Sequence, residues 1–91
     1  MSRRQKRDTD LGILVVRNMA TVMEREREKR RLSKNGLARL CEITGAYYLG
    51  ILDGSANPSI HIIARISTKL NVSLDELIMG RMPTSIKATP D

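Results

Sequence analysis

Neither phenylalanine nor tryptophan occurs in the 91 residues, and the only aromatic side chains are the adjacent Tyr47 and Tyr48. A core must therefore be filled by aliphatic side chains, which suits short packed helices better than a sheet. The apolar residues agree, recurring at helical spacing from Leu11 onward with no internal repeat and no convincing strand. A chain of this length holds one small domain with a modest core, so burial shared across a dimer interface would help it. The expectation is a compact all-α domain of five helices over residues 10–80. A mobile basic arm (residues 1–9) should precede it, and a tail with two prolines and no period (residues 81–91) should follow.

The first helix should start at Thr9 or Asp10, either of which can accept bonds from free amides. Leu11, Val15, Met19 and Val22 then make one apolar stripe with Met23 alongside. Gly12 weakens that helix by up to about 1 kcal/mol relative to Ala without forbidding it. After Met23 the stripe stops, and "EREREKRR" (residues 24–31) has no apolar face. Its spacing pairs Glu24 with Arg27, Glu28 with Arg31 and Glu26 with Arg30, each pair worth ~0.2–0.5 kcal/mol. A solvated extension of the helix, rather than a contact surface, is the expectation.

Leu32 restores an apolar anchor and Ser33 is a good N-cap, although Gly36 stands where Glu or Gln would complete a capping box. Leu37, Leu40 and Cys41 share a face, Ala38 allows close approach, Ile43 plugs a turn and Thr44 caps the next helix. There Tyr48, Ile51 and Leu52 face inward, while Gly45, Ala46, Leu49 and Gly50 lie on the opposite side. "DGSANP" (residues 53–58) ends that helix, and Pro58 suits the first turn of a fourth. Ile60, Ile63, Ile66 and Leu70 form the fourth helix's inner face, widened by Ile62 and Ala64, with Asn71 as a left-handed stop. "SLDE" (residues 73–76) reads as a full capping box for a short fifth helix carrying Leu74, Leu77 and Ile78, closed by Gly80.

Net charge is +6, much of it at the N-terminus and in the stretch ending at Arg31. Such a balance attracts polyanions, nucleic acid first and an anionic membrane surface second. Cys41 is the only cysteine, so an internal disulfide is impossible and a reducing cytoplasm is the natural compartment. "LGILVV" (residues 11–16) is too short to span a bilayer or to serve as a signal sequence. The lone His61 has no cysteine or carboxylate at ligand spacing, so no metal is expected. No nucleophile–base pair, phosphate-cradling glycine loop or paired carboxylate appears, so neither catalysis, a cofactor nor a small-molecule ligand is expected. Tyr48 and Cys41 read as core, and Tyr47 is balanced between packing and an outward contact.

In order and spacing, Leu32-Ser33, Leu37-Ala38, Ile43, Ile51, Gly54, Asn57-Pro58-Ser59 and "LNVSLDEL" (residues 70–77) carry a pattern. It resembles the lambda-repressor-like helix-turn-helix fold, in particular the Xre family of bacterial and phage regulators. The resemblance covers about residues 11–79. It implies that residues 33–42 form the first helix of the motif and residues 44–52 its recognition helix. It also implies DNA contacts from Ser33, Lys34, Asn35, Thr44, Gly45, Ala46, Tyr47, Leu49, Gly50 and Asn57, and binding as a dimer across half-sites about one helical turn apart.

Four departures stand out. Lys34 replaces the usual Gln, Glu42 replaces the usual turn Gly and so should let the first motif helix run further, and "EREREKRR" looks like an added turn. The recognition helix is almost free of polar side chains. Gly45, Ala46 and Gly50 cannot make the amide or guanidinium contacts of direct readout, although Ala46 or Leu49 can touch thymine methyls. Phosphate contacts, with Arg3, Arg4, Lys6 and Arg7 reaching a groove or backbone, would supply much of the affinity. The expected function is a dimeric double-stranded DNA-binding regulator, a repressor at a palindromic operator. The rivals are a protein-interaction or antitoxin-like module on the same fold, and a low-specificity architectural DNA binder.

Overall fold

In the computed structural model, which describes the backbone of residues 2–80 and the side chains of residues 11–80, a long helix α1 (Ser2–Lys29) precedes four short ones. These are α2 (Lys34–Leu40), α3 (Gly45–Asp53), α4 (Ile60–Leu70) and α5 (Leu74–Met79). The five expected helices are all present. α1, however, begins at Ser2 and not after Thr9 or Asp10, so the stretch expected to be an arm has helical backbone. Gln, Lys and Arg are good helix formers and no glycine or proline precedes Gly12, so a helix anchored by packing further on propagates backwards. The side chains of Arg3, Arg4, Lys6 and Arg7, and the whole tail at residues 81–91, lie outside the described part.

Each short helix opens on a hydroxyl that takes up a free amide. Ser33 Oγ accepts from Gly36 N–H at 2.9 Å, Thr44 Oγ1 from Tyr47 at 3.0 Å, Ser59 Oγ from Ile62 at 3.2 Å and Ser73 Oγ from Glu76 at 2.9 Å. A cap of this kind contributes about 1 kcal/mol. Two details differ from the sequence reading. Pro58 lies two residues before Ile60, the first residue of α4, because Ser59 takes the cap, a role a proline ring cannot fill. The capping box at residues 73–76 is only half made: Glu76 turns its carboxylate to the Arg25 guanidinium. Asn71 (φ 56°) and Gly80 (φ 77°) close α4 and α5 in the left-handed region, as expected.

The core gathers residues from every helix. Met19, Val22 and Met23 of α1, Leu37 and Cys41 at α2, Tyr48 and Ile51 of α3, Ile66 of α4 and Leu77 of α5 are all without solvent exposure. α1 lies along α5, α3 and α2, while α2 packs on α3 and α4 on α5. The stripe on α1 starts later than its spacing suggests. Val16 is buried, but Leu11 is 58% exposed because α5 ends near Asn18, whose amide donates to Ile78 O at 2.8 Å. Ile60, Ala64 and Leu74 are also exposed rather than inward-facing. Ile60 and Leu74 each open their helix at the rim of the packed layer, and Ala64 faces solvent beside buried Ile63. Burial pushes the Cys41 thiol up to about 11, so it stays protonated and serves as packing.

The expectation of a solvated face for residues 24–31 holds at Glu28, Lys29, Arg30 and Arg31, which are exposed, and fails at Glu26, with Glu24, Arg25 and Arg27 half-buried beside it. Glu26 is 3% exposed and its carboxylate meets Arg25 at 3.1 Å, Arg30 at 3.2 Å and Lys29 at 3.4 Å. Arg30 also donates to Leu70 O at 2.8 Å, Arg25 reaches Glu76 on α5, and Arg27 donates to Leu32 O at 2.9 Å. The last turns of α1 therefore hold the end of α4, the start of α2 and the middle of α5. Helical spacing explains it, since Glu26 continues the face of Met19, Val22 and Met23. Burial alone would raise the Glu26 carboxyl, but Arg25, Arg30 and Lys29 outweigh it and hold it below the ordinary range. Glu24–Arg27 (2.8 Å) and Glu26–Arg30 form as spaced. Arg31 has left the helix at φ 57°, and Glu28–Arg31 is not among the ion pairs of the described residues.

Glu42 does not prolong α2. The helix stops at Leu40, and Glu42 takes φ 62°, the left-handed conformation that the resembled glycine would adopt without strain. Arg65 donates to Glu42 O at 3.2 Å and Lys69 Nζ lies 3.0 Å from its carboxylate, so α4 holds this turn. A non-glycine residue there costs about 1–2 kcal/mol, while the exposed ion pair returns less than about 1 kcal/mol. Glu42→Gly is therefore expected to stabilise the fold by about 0.5–1 kcal/mol, read as a higher urea midpoint at unchanged slope.

Candidate nucleic-acid interface

Packing on the inner sides of α2 and α3 determines what their outer sides present. Leu37, Ala38 and Cys41 from the first helix and Tyr48 and Ile51 from the second are buried together. The half-buried Ile43 closes the turn between them, its N–H donating to Ala38 O at 2.9 Å. Outward lie Ser33, Lys34 and Asn35 at the start of α2, Thr44, Ala46 and Leu49 on α3, and Asn57 in the following loop, all exposed. Leu49 is 51% exposed, a large apolar side chain that nothing in the fold covers. Asn35 rests against Gly45, which joins the first turns of the two helices on one surface.

Several candidate residues already have a task in the fold. The hydroxyls of Ser33 and Thr44 are engaged as caps. Tyr47 is half-buried and lines, with Glu42, Ile43, Thr44, Ile62 and Arg65, a shallow groove between α3 and α4. Gly50 is turned towards its own loop: a Cβ there would lie 3.3 Å from Ser55 Oγ, and Gly50 O accepts from Ala56 N–H at 3.0 Å. Lys34 Nζ lies 3.4 Å from a Glu24 carboxylate oxygen.

Glu24 is the residue that sequence reasoning undervalued. Its carboxylate accepts from Arg27, from Lys34 at the head of α2 and from the buried Tyr48 hydroxyl of α3. One acidic group on α1 thus braces both helices of the motif. The Arg27 hydrogen bond, opposed by burial and helped by Tyr48, holds the Glu24 carboxyl at about 2. Burial, with Glu24 beside it, pushes the Tyr48 hydroxyl above the usual phenol range. The available signal was spacing: Glu24 stands one helical turn after the half-buried Ala20, at the edge of the core stripe.

Among the described residues no group of three or more His, Cys, Asp or Glu side chains could hold a metal ion. No described helix is long and apolar enough to cross a membrane. Two short capped helices joined by a tight turn, braced from behind by a third and meeting at their first turns, define a helix-turn-helix DNA-binding regulator. Comparison with protein families agrees: a Helix-turn-helix family model matches residues 23–77, more than half of the chain. The chain belongs to that family, of the Xre, lambda-repressor-like kind, whose members are DNA-binding regulatory domains and not enzymes. Neither the curated proteins nor the solved structures contain a match to it.

Proposed function

We propose that the chain is a transcriptional repressor that binds a palindromic double-stranded operator as a homodimer and excludes polymerase from the promoter. The observation that carries this reading is the joined first turns of α2 and α3 on one exposed surface, with Ala46 and Leu49 facing outward. Small side chains let the backbone of α3 sit deep in a major groove, where Ala46 and Leu49 meet thymine methyls and Lys34 and Asn35 supply polar contacts. Ser33, Thr44, Gly45, Tyr47, Gly50 and Asn57 shape or flank that surface. Arg3, Arg4, Lys6 and Arg7 add phosphate contacts, so A·T-leaning or shape-dependent specificity rests on a strong electrostatic base. The half-exposed Leu11 and Leu14 of α1 lie beside Met79 of α5 and offer an apolar seam to a second copy.

Removing residues 1–7 is expected to weaken binding to every duplex and to flatten the dependence of log K on log salt. The slope should fall by about 0.9 for each phosphate that the arm no longer neutralises. A truncated protein with an unchanged slope would remove the arm from the interface. The exposed Leu49 favours a second reading, a protein-interaction module on the same fold. On that reading the full chain would retain no duplex at moderate salt and would instead need a protein partner.

A further inference from the structure

Asn35, in the first turn of α2, is exposed, and its side-chain oxygen lies over Gly45, the first residue of α3. A Cβ added at Gly45 would overlap Asn35 Oδ1, so any other residue at that position forces the amide to move. The backbone does not ask for glycine there. Unlike Gly54 (φ 86°) and Gly80 (φ 77°), Gly45 has no left-handed torsion, and alanine is the better helix former. The missing side chain serves its neighbour. Asn35 is also the only amide side chain anywhere in α2 and α3. A carboxamide is the group that pairs with adenine in a major groove, whereas Ala46 and Leu49 bring only carbon.

We propose that Gly45 and Asn35 act as one reading element. The notch left by Gly45 seats Asn35 across the head of α3, where its N–H donates to N7 of an adenine and its oxygen accepts from the N6 amino group, once in each half-site. This rests on the DNA-binding reading above, and it makes Gly45 a positioning residue for specificity.

The test compares the wild type, Gly45→Ala, Asn35→Ala and the double variant in thermal melts and on a panel of duplexes differing at single half-site positions. Gly45→Ala should melt at or slightly above the wild type. Both single variants should lose about ten-fold of the preference for adenine at one position per half-site, and the double variant no more than either. Replacing that adenine by 7-deaza-adenine should weaken the wild type but not Asn35→Ala. The proposal is overturned if either single variant keeps the adenine preference, or if the two losses add. A wild type that retains no duplex, or shows no base preference at all, overturns the repressor reading along with it.

Discussion

Tyr48→Ala is expected to cost about 3–5 kcal/mol, the range for emptying a buried aromatic site. Tyr48 is the largest side chain with no exposure, and it fills the space between α1 and α3. A small domain has about 5–15 kcal/mol in all, so the loss is a large share of it. Urea unfolding should show it as a lowered midpoint at unchanged slope. Tyr48→Phe separates packing from hydrogen bonding, because it keeps the ring and removes only the donor to Glu24. About 1–2 kcal/mol should be lost at neutral pH. The difference should also depend on pH. The Glu24 carboxyl sits at about 2 instead of its ordinary 4.5, so its stabilisation is present above pH 4.5 and is lost as pH falls through about 2. Without the Tyr48 donor the folded value moves back towards 4.5, so wild type and Tyr48→Phe should converge between pH 4.5 and 2. Unfolding free energies that stay equally separated across that window would show that the hydroxyl does not stabilise the carboxylate.

Ala46→Asp is expected to lower affinity for duplex DNA about 100-fold, equivalent to roughly 2.7 kcal/mol, while the fold stays intact. Ala46 is exposed in the first turn of α3, where a carboxylate suits the free amides and the positive end of the helix dipole. The melting temperature should therefore hold or rise slightly. A charge placed at the proposed contact surface meets phosphates and acceptor-rich base edges, which repel it. Titration of one duplex with both proteins checks this. Equal affinities would move the DNA-binding surface away from α3.

The positions of the short helices are legible in the sequence because their ends carry local signals. Ser33, Thr44 and Ser73 accept from amides three residues on, and Asn71 and Gly80 terminate helices with positive φ, all without help from distant residues. What escapes is tertiary. Glu26 and Glu24 look like two charges in a solvated run, yet they lie on or beside the face of Met19 and Met23 and are matched by Arg25, Arg30 and Arg27. A charged residue on a buried face becomes readable only once its partners are placed, and Arg25 pairs in turn with Glu76, 51 residues further along. Glu42 escapes for a similar reason. Nothing local favours φ 62° for a glutamate, and Arg65 and Lys69 from α4 hold it there. The face of the candidate interface can be anticipated from the alternation of Tyr48 and Ile51 with Ala46 and Leu49. The seating of Asn35 over Gly45 cannot, because periodicity yields helix faces and not the way two helices meet.

The most direct measurement is selection of bound duplexes from a randomised library, with competitor DNA at physiological salt. A sequence-reading dimer predicts a two-fold symmetric motif, with half-sites about one helical turn apart and an adenine at a fixed place in each. A library that emerges with no enriched motif, whether every duplex is retained alike or none is, would contradict it.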